Sequence, residues 1–370
     1  MTDDDLLQRT IEAVATLGPP DPVARADTAA ILDALTKPPG SLGRLEWLAV
    51  ELAGITGIPR PTLRRRAIVV AAADHGVTRQ GVSAYPADVT AQMVANFVSG
   101  GAAINALASG VGASIMVVDV GVAADIPESG AGAASRGGTL IRRRIRPGTD
   151  DMTASPAMTR TEALRSIAVG IEIARSLSAD GVELIGVGEM GIGNTTAASA
   201  ITSAMTGVVP ERVTGRGTGI DDATHARKVD VIERALARHQ PDPADRVGVL
   251  AAIGGLEIGA LVGVILGAVE GRIPVILDGF ISGAAALLAV GLAPGVADRM
   301  IAGHRSVEPG HAIVLDRLGL RPLLELDLRL GEGTGAALAM SLVDAASDVR
   351  DGMATFDSAA VSGPLERAPR

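Results

Sequence analysis

The stretch ELIGVGEMGIGNTT, residues 183–196, decides the fold. It opens with a short apolar run that reads as a buried strand. Gly188-Glu189-Met190-Gly191 breaks that run, and residues 194–205 continue with helical apolar spacing. The same unit recurs along the chain. Residues 67–73 lead into Asp74-His75-Gly76-Val77, residues 114–118 into Asp119-Val120-Gly121, and residues 274–277 into Asp278-Gly279. Helical periodicity covers 87–107, 161–177 and 222–238. Strands alternating with helices predict an α/β chain, a Rossmann-like parallel sheet flanked by helices and joined by right-handed crossovers. Ligands of such sheets lie beyond the carboxyl ends of the strands. Asp74, Asp119, Glu189 and Asp278, each at a strand end, are therefore expected to line one crevice.

Outward from this core, residues 10–17 and 24–35 show helical spacing, continued by Leu42, Leu45, Leu48, Val50 and Leu52. Between them, Pro38-Pro39-Gly40 stops one helix and Ser41 is placed to cap the next. Residues 142–155 read as a charged loop and candidate flap, and the residues from 351 as a frayed tail. Residues 249–269, interrupted only by Glu257, and 279–296 approach the ~20 residues that span a bilayer. Gly and Ala dominate both segments, no aromatic belt flanks them, and Glu257 suits a protein cleft better than lipid. Buried helices are the expectation, with no membrane partner.

Composition narrows the function. The 370 residues are enough for a large core. The absence of Cys excludes a disulfide framework, thiolate metal sites and a cysteine nucleophile. A net charge of −9 with three Phe, one Trp and one Tyr argues against a nucleic-acid partner. The start, Met1-Thr2-Asp3-Asp4-Asp5, carries acids where a signal peptide carries basic residues, so a cytoplasmic location is expected. Of 33 basic residues only Lys37 and Lys228 are Lys. A compact ammonium does work that a planar guanidinium fork does not, which singles both out. His75, His304 and His311 do not form a metal-ligand spacing.

Gly186-Val187-Gly188-Glu189-Met190-Gly191 fits the G-x-G-x-x-G dinucleotide pattern. Glu189 inside the loop would repel a pyrophosphate, and only Glu211 stands near where the ribose-binding acid belongs. Three readings stay open. One is an NAD(P)-dependent or nucleotide-binding regulatory Rossmann protein. Another is a turn that offers N–H groups and a helix N-terminus to a single phosphate, with Asn194, Thr195 and Thr196 as further donors. The last is a turn that only caps its helix. Downstream, Gly215-Arg216-Gly217-Thr218-Gly219 precedes a helix with His225 and Lys228 on one face; Lys228 either meets a phosphate or is solvated. Glu332, in Gly331-Glu332-Gly333, either complements a helix dipole or is a general base whose pKa is raised by desolvation. The segment GHRSVEPGH, residues 303–311, is dense in polar groups and reads as a structured loop without an assigned chemistry.

Taken together and in order, nine segments resemble the nicotinate-nucleotide–dimethylbenzimidazole phosphoribosyltransferase family. They are KPPGSLGRLE (37–46), ADHGV (73–77), GVSAYP (81–86), VTAQMVANFVSGGAAIN (89–105), GEMGIGNTT (188–196), THARK (224–228), LDGFISGAAAL (277–287), GHRSVEPGH (303–311) and LRLGEGTGAALAM (328–340). The resemblance covers roughly residues 30–345, as expected for a specific ordered motif set. It implies a small helical domain built from N- and C-terminal parts, with boundaries expected at 1–60, 61–295 for the large α/β domain and 296–350 for the C-terminal contribution; residues 351–370, outside the matched segments, are expected to form a flexible tail. It implies a homodimer whose cavity is bordered partly by the neighbouring subunit. The implied reaction moves phosphoribose from nicotinate mononucleotide to 5,6-dimethylbenzimidazole, giving α-ribazole 5′-phosphate and nicotinate in cobalamin lower-ligand assembly. The implied catalytic residues are Glu332, as base, and Glu189. Gly191, Gly193, Asn194, Thr195, Lys228 and Gly331 are the implied phosphate and ribose contacts, and Ser83, Tyr85, Gln92 and Arg329 the implied base pocket.

The chemistry is consistent with these residue types. Nicotinate leaves its ribosyl pyridinium as a neutral ring nitrogen, so no general acid is required. The attacking benzimidazole must lose one N–H, which one carboxylate of raised pKa can accept. Carboxylates beside the sugar stabilise an oxocarbenium-like transition state. Attack opposite the leaving group turns β into α, and no metal or redox cofactor is called for.

Overall fold

A computed structural model describes residues 1–126 and 136–363. Six parallel strands form one sheet: β1 (Arg66–Ala73), β2 (Ala113–Gly121), β3 (Thr139–Arg142), β4 (Leu184–Met190), β5 (Val275–Leu277) and β6 (Met300–Ala302). Their order is β3-β2-β1-β4-β5-β6. The chain reverses direction across the sheet between β1 and β4, which opens a crevice at their carboxyl ends.

β1 is buried along its whole length. Ala67, Val69, Ala71 and Ala73 pack into one apolar layer, and Ile68, Val70 and Ala72 into the other. This two-sided burial explains why β1 is an unbroken apolar run rather than an alternating one. The first layer is roofed by the helices Arg160–Ala179, Leu256–Glu270 and Phe280–Leu292, the second by Arg44–Thr56, Val89–Ser99, Ala103–Gly110 and Thr334–Gly352.

The two membrane-length stretches are core helices. The first breaks at Gly254-Gly255 into Arg246–Ile253 and Leu256–Glu270. Among the described residues no helix is long and apolar enough to cross a membrane. Leu256–Glu270 lies backbone to backbone on Arg160–Ala179: a Cβ at Gly263 would collide with the Ile167 carbonyl oxygen, and one at Gly170 with that of Ala260. That close approach is the reason the segment is so rich in glycine.

Several expectations are revised. Residues 87–107 form two helices, because Gly100 takes φ +84° and the Asn105 amide turns back to donate to the Phe97 carbonyl at 2.8 Å. β3 and β6 are too short to leave a periodic signal. Ser41 caps nothing; the helix Arg44–Thr56 starts behind Gly43. Lys37 instead pairs with Glu46 at 2.9 Å, and Glu46 also accepts from the N–H groups of Gly40 and Leu42, so this lysine holds a loop together. The charged segment after β3 is anchored: Arg144 reaches Asp119 at 3.3 Å, and Arg146 pairs with Asp150 and Glu162. The C-terminal helix runs through Gly352. The chain then folds back, with Thr36 N–H donating to the Ala354 carbonyl and Phe356 N–H to that of Ala34. The remainder of the expected tail, residues 364–370, lies outside the described residues.

N- and C-terminal parts meet where Arg44–Thr56 packs on Thr334–Gly352. The fully buried Arg299 donates to the carbonyls of Ile55 and Gly18, both at 3.1 Å, and ties the N-terminal helices to the sheet's far edge.

Candidate active site

Glu332 sits on a loop that the sequence bends sharply. Gly331, Glu332 and Gly333 all take left-handed backbone conformations, with φ of +83°, +64° and +86°. Only glycine adopts this region without cost, so Glu332 carries about 1–2 kcal/mol of strain. The loop lies directly on β4. Its carboxyl is buried, with the residue 4% exposed, and Oε2 has no hydrogen-bond partner among the described residues. Burial pushes this carboxyl up to about 7; the nearby Ile104 N–H opposes the rise and the charge of Asp278 adds to it.

Two further carboxyls adjoin it. Glu189, at the end of β4, presses an oxygen against the α-carbon of Gly331 and accepts from the Asn194 amide. Burial drives its pKa well above the usual carboxylate range, helped by the negative charges of Asp278, Glu257 and Glu332 and opposed by the Asn194 donor. Asp278, after β5, accepts from Gly333 N–H at 3.1 Å, Gly335 N–H at 2.6 Å and Ala336 N–H at 3.2 Å, capping the helix Thr334–Gly352. Burial raises it to about 7 against those donors. A cluster this tight resists full ionisation and holds a protonatable base near neutrality.

The four strand-end acids do not share one crevice. Glu189 lines it, and Asp278 is buried next to Gly279, which lines it. Asp119 is spent on Arg144 and the Val122 N–H. Asp74 accepts from the Ala123 N–H on the β2 side.

The glycine turn after β4 opens a second feature. The helix Asn194–Thr206 begins behind Gly193, φ +95°, with no side chain capping it. Its N-terminus faces a cavity of about 320 Å³ lined by Ser83, Gly191, Gly193, Asn194, Thr195 and Lys228, among others. The Lys228 ammonium, 1% exposed, donates to Thr195 Oγ1 at 2.8 Å and to the Gly215 carbonyl at 3.3 Å. Burial lowers it to about 8, while Glu308 pulls it up. Helix N-terminus, hydroxyl and ammonium together have the chemistry that suits an anion.

A cleft of about 630 Å³ joins this cavity through Gly191, Asn194, Thr195 and Gly217, and is lined also by Glu189, His304, Ser306, Glu308, Arg329 and Gly331. Arg329 donates to the Gly217 carbonyl at 3.1 Å and also borders a neighbouring cleft of about 770 Å³. Of the expected base-pocket residues, Ser83 lines the anion cavity and Arg329 the cleft. Tyr85, 52% exposed, and Gln92, also exposed, lie on the surface outside these cavities.

The family profile described as Phosphoribosyltransferase matches residues 17–361. The chain is 58% identical to the nicotinate-nucleotide–dimethylbenzimidazole phosphoribosyltransferase of Chloroflexus aggregans, over 98% of this chain and 99% of that protein. It is 56% identical to that of Roseiflexus sp., over 96% and 98%. The chain belongs to the nicotinate-nucleotide–dimethylbenzimidazole phosphoribosyltransferase family. The crystal structure of a family member from Thermus thermophilus superposes with a TM-score of 0.85 at 48% identity, covering 93% of this chain and all of that one.

In this family member several site residues escaped the sequence reading. Glu308 and His304 come from the polar segment 303–311, whose density of polar groups in an apolar chain was the available signal. His304 lines the cleft with Nδ1 unpartnered, and burial keeps its pKa low. Glu257, the lone acid of a membrane-length stretch, pairs with His75 at 2.7 Å. Burial alone would lower His75, but the Glu257 and Asp74 carboxylates outweigh it and raise the imidazole. This pair lies directly behind Gly191 and Gly193, whose α-carbons face the His75 side chain.

Proposed function

We propose that this chain transfers phosphoribose from nicotinate mononucleotide to 5,6-dimethylbenzimidazole, releasing nicotinate and forming α-ribazole 5′-phosphate. The observation that supports the reading is that one cleft runs between two unlike ends. One end is lined by Glu189 and Gly331, with the strained carboxyl of Glu332 buried directly behind Gly331 and held near neutrality. The other is a phosphate-sized anion site on Lys228 and the turn Gly191-Ile192-Gly193-Asn194.

In this mechanism the 5′-phosphate lies on the helix N-terminus and Lys228, which fixes the sugar by binding energy remote from the reacting carbon. Gly331 and Thr195 border the sugar. The dimethylbenzimidazole nitrogen attacks C1′ from the face opposite nicotinate, the C1′–nicotinate nitrogen bond breaks, and the configuration inverts. Glu332 takes the proton from the other ring nitrogen. The carboxyl cluster supplies negative potential to the oxocarbenium-like transition state. Arg329 borders the space left for the incoming base, while Ser83 lies at the phosphate end and Tyr85 and Gln92 lie outside both cavities.

The reading includes a homodimer and a cytoplasmic setting. Exposed Leu330 and Leu326, 56% and 52% accessible, favour a covering second copy near the cleft. Light scattering at micromolar concentration tests it, with a dimer mass expected.

The direct test is incubation with nicotinate mononucleotide and 5,6-dimethylbenzimidazole, followed by NMR of the product. The expected product has the α configuration. Dinucleotide binding with no nicotinate release would instead favour the Rossmann cofactor reading.

A further inference from the structure

We propose that Glu308 receives the ribose hydroxyls of the mononucleotide and sets the preference for ribose over deoxyribose; this rests on the phosphoribosyl-transfer reading above. Glu308 occupies the position just before the helix Pro309–Leu318, where a carboxylate ordinarily caps the first turn. Here it makes no capping bond. Its side chain reaches instead to the glycine loop, where Oε1 accepts from Gly217 N–H at 2.8 Å. Oε2 is buried against Gly215 and has no hydrogen-bond partner among the described residues, in a residue only 6% exposed.

A buried carboxylate oxygen without a donor is costly, and such a group marks a place where a ligand completes the hydrogen bonding. The position suits that role. Glu308 borders both the 630 Å³ cleft and the 770 Å³ cleft beside it. Gly217 lines the anion cavity and both clefts. In a nucleotide bound with its phosphate on Lys228 and its anomeric carbon at the Glu189 and Glu332 carboxyls, bonding order puts the ribose between them. Its neighbouring 2′- and 3′-hydroxyls are two donors. A carboxylate with one oxygen fixed by Gly217 and the other without a donor is the matching acceptor, and charge-assisted hydrogen bonds of this kind are the strong ones. The small side of the glycine loop supports this arrangement, because a Cβ at Gly215 would fall on the carboxyl, 2.6 Å from its Cδ.

The test measures kcat/KM for nicotinate mononucleotide and for its 2′-deoxy and 3′-deoxy analogues, with dimethylbenzimidazole saturating. The wild type is expected to prefer the ribonucleotide by about 100-fold, towards the upper end of what one hydrogen bond to a charged group contributes. Glu308→Ala should cut that preference to below about 10-fold, and Glu308→Gln, which keeps an acceptor for Gly217, should fall between the two. At about pH 6, where Lys228 is protonated with or without the upward pull of Glu308, the preference for the 5′-phosphorylated substrate over the riboside should change by less than about 3-fold in both variants. Should Glu308→Ala fail to fold, Glu308→Gln decides alone. A ribose preference that is absent in the wild type, or that survives intact in the folded variants while all rates fall together, overturns the proposal and leaves Glu308 a structural tie to Gly217. Absence of nicotinate release by the wild type from the ribonucleotide itself would instead overturn the parent reading.

Discussion

Gly188 of β4 and Glu332 touch through their backbones: a Cβ on Gly188 would stand 2.5 Å from the carbonyl carbon of Glu332 and 2.6 Å from its oxygen. The strand thus serves as the surface on which the strained carboxyl loop rests. Gly188→Ala has no flexible side chain to push aside, so the loop itself must move. We expect kcat to fall at least about 100-fold, since a misplacement of about 1 Å at a reacting group has that cost. The overpacking should also lower stability by about 1–3 kcal/mol. Steady-state kinetics and urea unfolding check the two effects.

The carboxyl cluster and Lys228 predict the pH profile of kcat/KM. Glu332, raised to about 7, must be deprotonated to accept a proton, so activity rises as pH passes upward through about 7. Lys228, lowered to about 8, must stay protonated to hold the phosphate, so activity falls as pH passes upward through about 8. The profile is therefore a narrow bell. Asp278→Asn keeps an acceptor for the helix cap but removes a negative charge that raises Glu332. Its acid limb should move to lower pH by roughly half a unit, measurable in the same assay.

Lys228→Met separates function from stability. The folded state depresses this lysine from 10.5 to about 8. Below about pH 8 both states bind the proton and the full burial penalty weakens the fold; between 8 and 10.5 the unfolded chain binds more protons, so stability recovers as pH rises. Replacing the ammonium with an apolar chain should raise stability at pH 7 by about 1–3 kcal/mol, the upper figure following from the size of the shift. The KM for nicotinate mononucleotide should rise at least about 30-fold, the loss of a charged contact to phosphate. Thermal melts and substrate titration check both.

The sheet was legible because buried parallel strands are written as apolar runs closed by glycine and an acid, as in residues 67–74 and 184–189. Glu189, Glu332 and Lys228 were singled out because charged residues in glycine turns, and a lysine in an arginine-biased chain, stand out locally; their burial, which local sequence left open, is a tertiary fact. Glu308 and Glu257 were not, since their meaning comes from Gly217 and His75, partners 91 and 182 residues away. Asp119 misled for the same reason: its place at a strand end is visible in the sequence, but its commitment to Arg144 is a tertiary fact. The helix 87–107 misled because its break depends on one glycine angle that apolar spacing does not record.

The central claim is that Glu332 removes the proton from the attacking base. The measurement that tests it most directly is the rate of α-ribazole 5′-phosphate formation by Glu332→Gln, which preserves the size and the left-handed backbone of the residue. The account predicts a kcat lowered by about 10²–10⁴-fold, the usual contribution of a general base, with KM for both substrates little changed. A variant that turns over at the wild-type rate contradicts it.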